Sequence, residues 1–483
     1  MNLQRLRPER PYDLHDVSTT RHIEAAAAQQ LPEHTLMQRA GLSVARLLRA
    51  LWPHAHSVWV ACGPGNNGGD GLEAALHLHR TGMNVVVTWA GGSDTAPPDC
   101  LKSWQHFKAA GLRLSEQAPE HVDVCVDALL GIGASRALSG QMASWAAHMN
   151  RMGAPVLAVD IPSGLQADTG ALLEPGAVAV KADVCLSLLT LKPGLFTAYG
   201  RDLAGEVWWD DLGVVPELMP QARRLGAPPS PAWLHNSHKG SHGAVAVVGG
   251  AQGMRGAALL AALAAMHGGA GRVFLSLLDD STHLPWPELM QRDLSQLDLE
   301  SLCVVAGCGA GDQLTAHLPS LLAQAQKLVL DADALNSIAK SPDLQQALQQ
   351  RRAQSTVLTP HPLEAARLLG ISAAEVQADR LGYAQRLAQQ ARCTVVLKGS
   401  GTVIASPKQG LMINPTGNAL LARGGTGDVL AGLVGACWAP RGSQQHADVA
   451  AVTEAVYLHG RMADDWPADA PWSPSLLAQA LRR

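Results

Sequence analysis

Aromatic residues are scarce in this 483-residue chain, at 4%, with only three Phe and four Tyr beside twelve Trp. The core must therefore pack through Ala, Leu, Val and Gly, which demands close backbone approach. Charge is also thin, at 16% against a usual figure of about 25%. Yet 47% of the residues are hydrophobic, which excludes a disordered chain. The net charge of −4 lacks the basic excess of a nucleic-acid binder. No apolar run is long enough for a membrane span; the longest, Ala257–Met266, is half the needed length. The opening MNLQRLRPERPYDLHDV has no apolar core and does not read as a signal peptide. Eight cysteines (62, 100, 125, 185, 303, 308, 393, 437) form no C-x-x-C pair. Most sit in apolar runs, which predicts buried free thiols, a reducing compartment and a cytoplasmic enzyme.

What is present is glycine, 47 residues of it, and proline in one dense stretch. The length alone suggests roughly three domains, or two large α/β ones. Pro216, Pro220, Pro228, Pro229 and Pro231 mark a linker at 216–231, because proline at that density continues neither helix nor central strand. The expected domains are 1–215 and 232–483. In the first, apolar strand-like runs at Ser57–Ala61, Asn84–Trp89, Val122–Val126, Pro155–Val159 and Asp183–Leu189 alternate with amphipathic segments. The second repeats that style, from Ala244–Val248 to Thr402–Ala405, with helices at Ala257–Met266 and Gly427–Cys437 that are apolar nearly all round. Alternation of this kind predicts parallel sheets covered by helices on both faces.

Three strand ends of the first half carry polar groups. Ser57–Gly71 reads as strand, glycine-rich loop and helix start near Asp70. Backbone N–H groups and the helix end suit an anion. It is neither G-x-G-x-x-G nor a Walker loop, since no lysine follows. Asn66 and Asn67 add amide oxygens, hard neutral ligands for a weakly held cation, although a plain turn uses Asn as well. The second end has Asp127 with Gly131 and Gly133. The third has Asp160 with Ser163 and Gly164. Ligands of open α/β sheets bind beyond strand carboxyl ends, so the three ends suggest one cleft. Each Asp could equally be a helix cap.

GNNGGDG, DALLGIG and DIPSG, with TLMQRAG at Thr35–Gly41 and the KPG at Lys192, resemble the NAD(P)H-hydrate epimerase (YjeF N-terminal) family over about residues 15–215. The resemblance implies a Rossmann-like three-layer α/β/α domain. It implies a potassium ion at Asn67, Asp127 and Ser163. It implies a hydrated nicotinamide nucleotide at Asn66, Asn67, Gly68, Gly69 and Asp70, along Gly131, Ile132, Gly133, Ala134, Ser135, Arg136 and Ala137, and at Asp160, the catalytic acid/base. Gln38 and Leu76 depart from the usual Glu and Arg.

In the second half, GGTGD at Gly424–Asp428 opens a helix whose amides suit a phosphoryl group, with Asp428 placed to take a proton from a hydroxyl. A glycine-rich helix entry capped by Asp is the simpler alternative. Lys398 and the Gly399–Gly401 turn suit a nucleotide phosphate. Together with TPHP (Thr359–Pro362), DADAL (Asp331–Leu335) and NPTGN (Asn414–Asn418), these motifs resemble the ADP-dependent NAD(P)H-hydrate dehydratase domain, a ribokinase-like α/β fold, over about 230–480. That resemblance implies ADP with Mg2+ at Lys398, Gly399, Ser400, Gly401, Thr402 and Gly427. It implies the hydrated nicotinamide at Ala257, Gly309, His361 and catalytic Asp428. Leu363 and Ala419 stand where Gly and Pro are usual.

The implied activity is bifunctional repair of NADHX and NADPHX: equilibration of R and S hydrates by proton transfer at the hydroxyl-bearing carbon, then ADP-dependent dehydration of the S form to NAD(P)H, AMP and phosphate. The alternative enzyme is a ribokinase-like vitamin or small-alcohol kinase whose first domain regulates. A non-enzymatic alternative makes the first domain a binding module. Small-molecule ligands and a homo-oligomer such as a tetramer are the expected partners, with no nucleic acid and no membrane.

Overall fold

The computed structural model describes residues 3–229, 234–279, 284–440 and 447–482. The end of the expected linker, 230–231, and the first residues of the second expected domain, 232–233, lie outside the described residues, as do residues 1, 2 and 483. The chain divides into two compact units, Met1–Arg223 and Arg224–Arg483, so the division falls within 216–231.

The first unit is built on seven strands: β1 (Gln4–Arg5), β2 (Ser57–Cys62), β3 (Asn84–Trp89), β4 (Val124–Ala128), β5 (Val156–Val159), β6 (Val184–Leu188) and β7 (Glu206–Asp210). Their order is β1-β7-β6-β5-β4-β2-β3, and only β1 runs antiparallel. The central strands are buried along their whole length, as continuously apolar sequences require. The helices include α1 (Val17–Gln30), α2 (Thr35–Leu51), α3 (Asn66–Arg80), α4 (Pro98–Ala109) and α5 (Gly140–Met152). In α2, Met37, Ala40, Val44, Leu47 and Leu48 recur at helical spacing and all lie inside.

One expectation is corrected here. Asn66–Asp70 is not a loop before a helix: α3 already begins at Asn66, four residues ahead of the expected start near Asp70. Glycine's low helix propensity argued for a loop, but close packing overrides it. A Cβ on Gly68 would stand 2.0 Å from the Gly63 carbonyl oxygen, and one on Gly63 would stand 1.6 Å from that of Leu129. The helix start therefore sits directly on the strand ends, where only glycine fits.

The second unit places β8 (Ala244–Gly249), β9 (Arg272–Leu277), β10 (Met290–Gln291), β11 (Cys303–Ala306), β12 (Lys327–Leu330), β13 (Thr356–Leu358), β14 (Thr394–Leu397), β15 (Val403–Ser406) and β16 (Gly410–Ile413) in the order β10-β9-β8-β11-β12-β13-β14-β15-β16. Pairing is parallel up to β14 and antiparallel from there. Its helices include α6 (Arg255–His267), α7 (Ala332–Lys340), α8 (Pro362–Leu369), α9 (Arg380–Ala391), α10 (Thr426–Trp438) and α11 (Ala447–Asp464). Both α6 and α10 belong to the core. A Cβ on Gly432 would lie 2.0 Å from the Ala261 carbonyl oxygen, so these two helices cross almost backbone to backbone. That contact is the packing answer to the scarcity of aromatics. All eight cysteines are buried thiols outside any disulfide. No helix among the described residues is long and apolar enough to cross a membrane.

Candidate functional site

In the first unit, a cavity of about 830 Å3 opens at the carboxyl ends of the strands. Asn66, Asn67, Asp70, Gly131, Ile132, Gly133, Ala134 and Asp160 all line it. Gly68 and Gly69 are instead buried inside α3 and serve its packing. Ser135, Arg136 and Ala137 fall beyond the cavity wall, the first two of them exposed.

Asp160 directly follows β5 and sits in the left-handed region, at φ 68°. A non-glycine residue there stores strain, which the surroundings must hold. They do so with hydrogen bonds. Leu188 N donates to Oδ1 at 3.1 Å, and the buried Lys192 ammonium donates to the same oxygen. Lys192 is itself fixed by the Leu188 carbonyl oxygen at 2.7 Å. Asp70 and Glu24 stand near this pair. Burial first, then the Asp160 charge, pushes the Asp70 carboxyl well above the usual range and raises that of Glu24. The cavity lining thus carries five carboxyl groups, Glu24, Glu33, Asp70, Asp99 and Asp160, with the buried Lys192 ammonium on Asp160.

Asp127 and Ser163 lie behind this wall. Asp127 accepts from Ser163 N at 2.8 Å, Ser163 Oγ at 2.6 Å and Leu129 N at 3.2 Å. Burial still outweighs these bonds and raises its carboxyl to about 6. The Asn67 amide nitrogen is buried without a hydrogen-bond partner among the described residues.

In the second unit, Asp331 follows β12 and Asp428 opens the first turn of α10. One acceptor oxygen from each, with Cys308 Sγ, falls within 4.8 Å of the others. Lys398, just past β14, donates to Asp331 Oδ1 at 2.6 Å and lies 4.0 Å from Glu364. Burial opposes the Lys398 charge, but the two carboxylates outweigh it and raise its proton affinity. Among the described residues, Asp428 has no ammonium partner of its own. Burial, then the Asp331 charge, lifts its carboxyl to about 6, against the lowering effect of a Cys308 hydrogen bond. Gly427 lies beside Lys398: a Cβ there would stand 3.2 Å from Nζ.

Gly309 turns at φ 58° against α6, where a Cβ would meet that of Ala257 at 2.9 Å. This brings both predicted residues beside Cys308. The Gly399–Thr402 turn is anchored by Arg380, whose Nη2 donates to the Leu397 and Lys398 carbonyls at 3.2 Å each, and by Asn414 N on the Thr402 carbonyl. His361 caps α8. Its Nδ1 accepts from Leu363 N and Glu364 N, while Nε2 stands 3.2 Å from Glu364 Oε1. Burial lowers its proton affinity, and Lys398 adds to that. Leu363 sits in the first turn of α8 in ordinary helical backbone, so the departure from Gly needs no unusual φ. Ala419 begins a 3-10 turn capped by Asn418.

Sequence reasoning passed over Glu24, Lys192, Cys308, Asp331 and Glu364 as site residues. Lys192 and Asp331 were visible within KPG and DADAL. For Asp331 the signal was a charged residue directly after an apolar strand, whereas Lys192 lies four residues past β6.

The family model described as YjeF-related protein N-terminus matches residues 33–194, and that described as NAD(P)H-hydrate dehydratase matches 245–483. The bifunctional NAD(P)H-hydrate repair enzyme of Escherichia coli is 38% identical over 91% of this chain and 87% of its own. That of Coxiella burnetii is 36% identical over 92% and 93%. Among solved structures, the ADP/ATP-dependent NAD(P)H-hydrate dehydratase of Bacillus subtilis, co-crystallised with ATP/Mg2+, is 31% identical and covers 52% of this chain and 91% of its own, with a TM-score of 0.44. The chain belongs to the family of bifunctional NAD(P)H-hydrate repair enzymes.

Proposed function

We propose that the two strand-end sites divide the repair between them. The first unit epimerises R and S hydrates of NADH and NADPH at the Asp160 cavity. The second dehydrates the S form with ADP at Asp428. The observation that carries this reading is Asp428, a carboxyl lifted to about 6 at the amino end of α10, beside the Lys398–Asp331 pair. A base poised near neutral pH, facing helix amides that accept charge, suits transfer of a phosphoryl group to a hydroxyl.

In the dehydration, Asp428 takes the proton of the hydrate hydroxyl. The hydroxyl oxygen then bonds to the terminal phosphorus of ADP and AMP leaves. Gly427 and its neighbouring amides, with Lys398, face the phosphoryl oxygens. Hydroxide is a poor leaving group and phosphate a good one. The phosphate departs with the electrons of its C–O bond, the neighbouring carbon loses a proton, and the double bond of NAD(P)H is restored. A magnesium ion held by the donor phosphates, with Asp331 and Asp428 as the available carboxylates, would neutralise charge on the phosphoryl oxygens.

In the epimerisation, Lys192 and Leu188 N hold Asp160 Oδ1, and neither bond engages Oδ2. Asp160 moves the proton at the hydroxyl-bearing carbon, with Asp70 and Glu24 beside it. Potassium fits the inner residues on two grounds. Asp127 is buried with no cation pairing it among the described residues, and the Asn67 amide is not locked on its nitrogen side. The ion would supply a fixed positive charge near Asn67, Asp127 and Ser163. The reading also places the enzyme in the cytoplasm as a homo-oligomer.

The test follows NADH absorbance from a mixture of R and S hydrates with ADP. Asp428→Ala should abolish recovery while R and S still interconvert. Asp160→Ala should recover the S form at the normal rate and leave the R form, which would disappear only at its spontaneous rate. Unchanged dehydration in the first variant, or unchanged loss of R in the second, refutes the respective assignment.

A further inference from the structure

Three side chains outside the proposed catalytic groups converge between α2, α3 and α4. His34 precedes α2, Glu73 lies on α3 and His106 on α4. His34 Nε2 stands 2.8 Å from Glu73 Oε1, and His106 Nδ1 stands 3.1 Å from the same oxygen. The imidazole rings are nearly perpendicular, at 79°, with centroids 5.3 Å apart. One nitrogen from each ring and a carboxylate oxygen thus share a volume less than 4.8 Å across. A tetrahedral ion with ligands near 2.1 Å needs neighbours about 3.4 Å apart, so the two imidazole nitrogens would each draw back from Glu73 by about 0.3–0.6 Å to admit it.

Three further observations bear on what this cluster holds. His34 and Glu73 are almost fully buried, with side chains 4% and 3% exposed, whereas His106 is 45% exposed and leaves the cluster open to solvent. His34 adopts φ 68°, a left-handed conformation that only a surrounding constraint would hold. Its other ring nitrogen, Nδ1, stands 3.4 Å from Asp99 Oδ1. This last contact is the informative one. If a neutral His34 donates from Nε2 to Glu73, it turns a bare Nδ1 lone pair toward a carboxylate. A cation bound at Nε2 reverses the arrangement: Nδ1 keeps the proton and donates it to Asp99. A carboxylate behind a metal-bound histidine is the recurrent outer partner of such sites.

We propose that His34 Nε2, His106 Nδ1 and Glu73 bind a divalent transition metal of the zinc class, with Asp99 orienting His34 and water completing the shell. Two imidazoles and one carboxylate suit zinc or cobalt and suit magnesium poorly. The ion would brace three helices. Glu73 lies one helical turn beyond Asp70, so the brace reaches the cavity wall through α3.

The test uses the full chain freed of metal by chelation. Cobalt(II) titration should produce visible d–d bands that saturate at one ion per chain, and zinc should displace it. His106→Ala, at the exposed end of the cluster, should weaken cobalt binding at least tenfold while the circular dichroism spectrum stays unchanged. Asp99→Asn should weaken it by about 10–100-fold, the usual effect of losing an outer partner. Zinc should also raise the melting temperature of the parent chain and not that of His106→Ala. Absence of a saturable band overturns the proposal. So does a band of the same strength and midpoint in His106→Ala, which would place the ion elsewhere, such as at Cys308.

Discussion

Replacing Asp428 by Asn should have two effects of opposite sign. The carboxyl is raised from 3.8 to about 6, mainly by burial. Each tenfold change in proton affinity is worth about 1.4 kcal/mol, so the ionised group costs the folded chain up to about 3 kcal/mol. Solvent in the site screens part of this, leaving about 1–3 kcal/mol. Because the folded-state value is the higher one, the contribution favours folding below about pH 4. It is lost as pH rises toward 6, and the full cost is present above. The neutral amide of Asp428→Asn carries no such cost. At pH 7.5, without nucleotide or metal, the variant should therefore be the more stable protein, by about 2–8 °C in the transition of the second unit. The advantage should shrink at pH 5 and vanish near pH 4. Dehydration should meanwhile fall by about 10²–10⁴, the usual worth of a positioned base. Calorimetry across pH and the absorbance assay read the two effects separately. A variant less stable at every pH would refute the electrostatic argument, since lost hydrogen bonds would then dominate. A variant with normal turnover would refute the base assignment.

Lys192→Met leaves Asp160 buried and unpaired, a change that typically costs about 3–5 kcal/mol. The melting temperature of the first unit should fall, and epimerisation should disappear while dehydration persists. Gly432→Ala pushes a methyl to 2.0 Å from the Ala261 carbonyl oxygen, which should cost about 1–3 kcal/mol of overpacking in denaturant melts. Potassium in place of choline should raise the melting temperature more at pH 8 than at pH 5. The reason is that Asp127, lifted to about 6, is a carboxylate only in the first case. Equal shifts at both values would count against an ion at that carboxylate.

The strands were the most legible part of the sequence, because a strand buried on both faces is apolar throughout and bounded by glycine. Ser57–Cys62, Asn84–Trp89 and Ala244–Gly249 lie within one residue of expectation. Helix α1 was not read, although Asp16 caps it in the usual way, accepting from Thr19 N at 2.7 Å. Its stripe of Thr20, Ile23 and Ala27 is too weakly apolar to stand out. With α1 went Glu24, a member of the cavity that no motif marks. The start of α3 was misread for a different reason. Local propensity favours a loop through so many glycines, and only the tertiary approach of Gly63 and Leu129 turns this stretch into helix. His34, Glu73 and His106 carry no sequence signal, since 39 and 33 residues separate the partners that meet.

The two units solve one electrostatic problem in the same way. In each, an aspartate directly follows a central strand and receives a lysine ammonium from a segment that follows a later strand: Asp160 with Lys192, and Asp331 with Lys398. Backbone strain marks both places, at Asp160 itself (φ 68°) and at Ala332 after Asp331 (φ 45°). In each, a second carboxyl has no ammonium among the described residues, and burial lifts it to about 6: Asp127 and Asp428. Environments that push neighbouring carboxyls apart assign them different work. The paired ones have one oxygen held in place by the ammonium. The unpaired ones change charge near neutral pH. That argument separates Asp428, which borders Lys398 and the helix amides, from Asp127, which lies behind the cavity with three hydrogen bonds already accepted. A carboxylate so enclosed can compensate a bound cation but cannot reach a substrate proton. Of the five carboxyls that line the first unit's cavity, Asp160, Asp70, Glu24, Glu33 and Asp99, only Asp160 has an oxygen anchored by a buried ammonium.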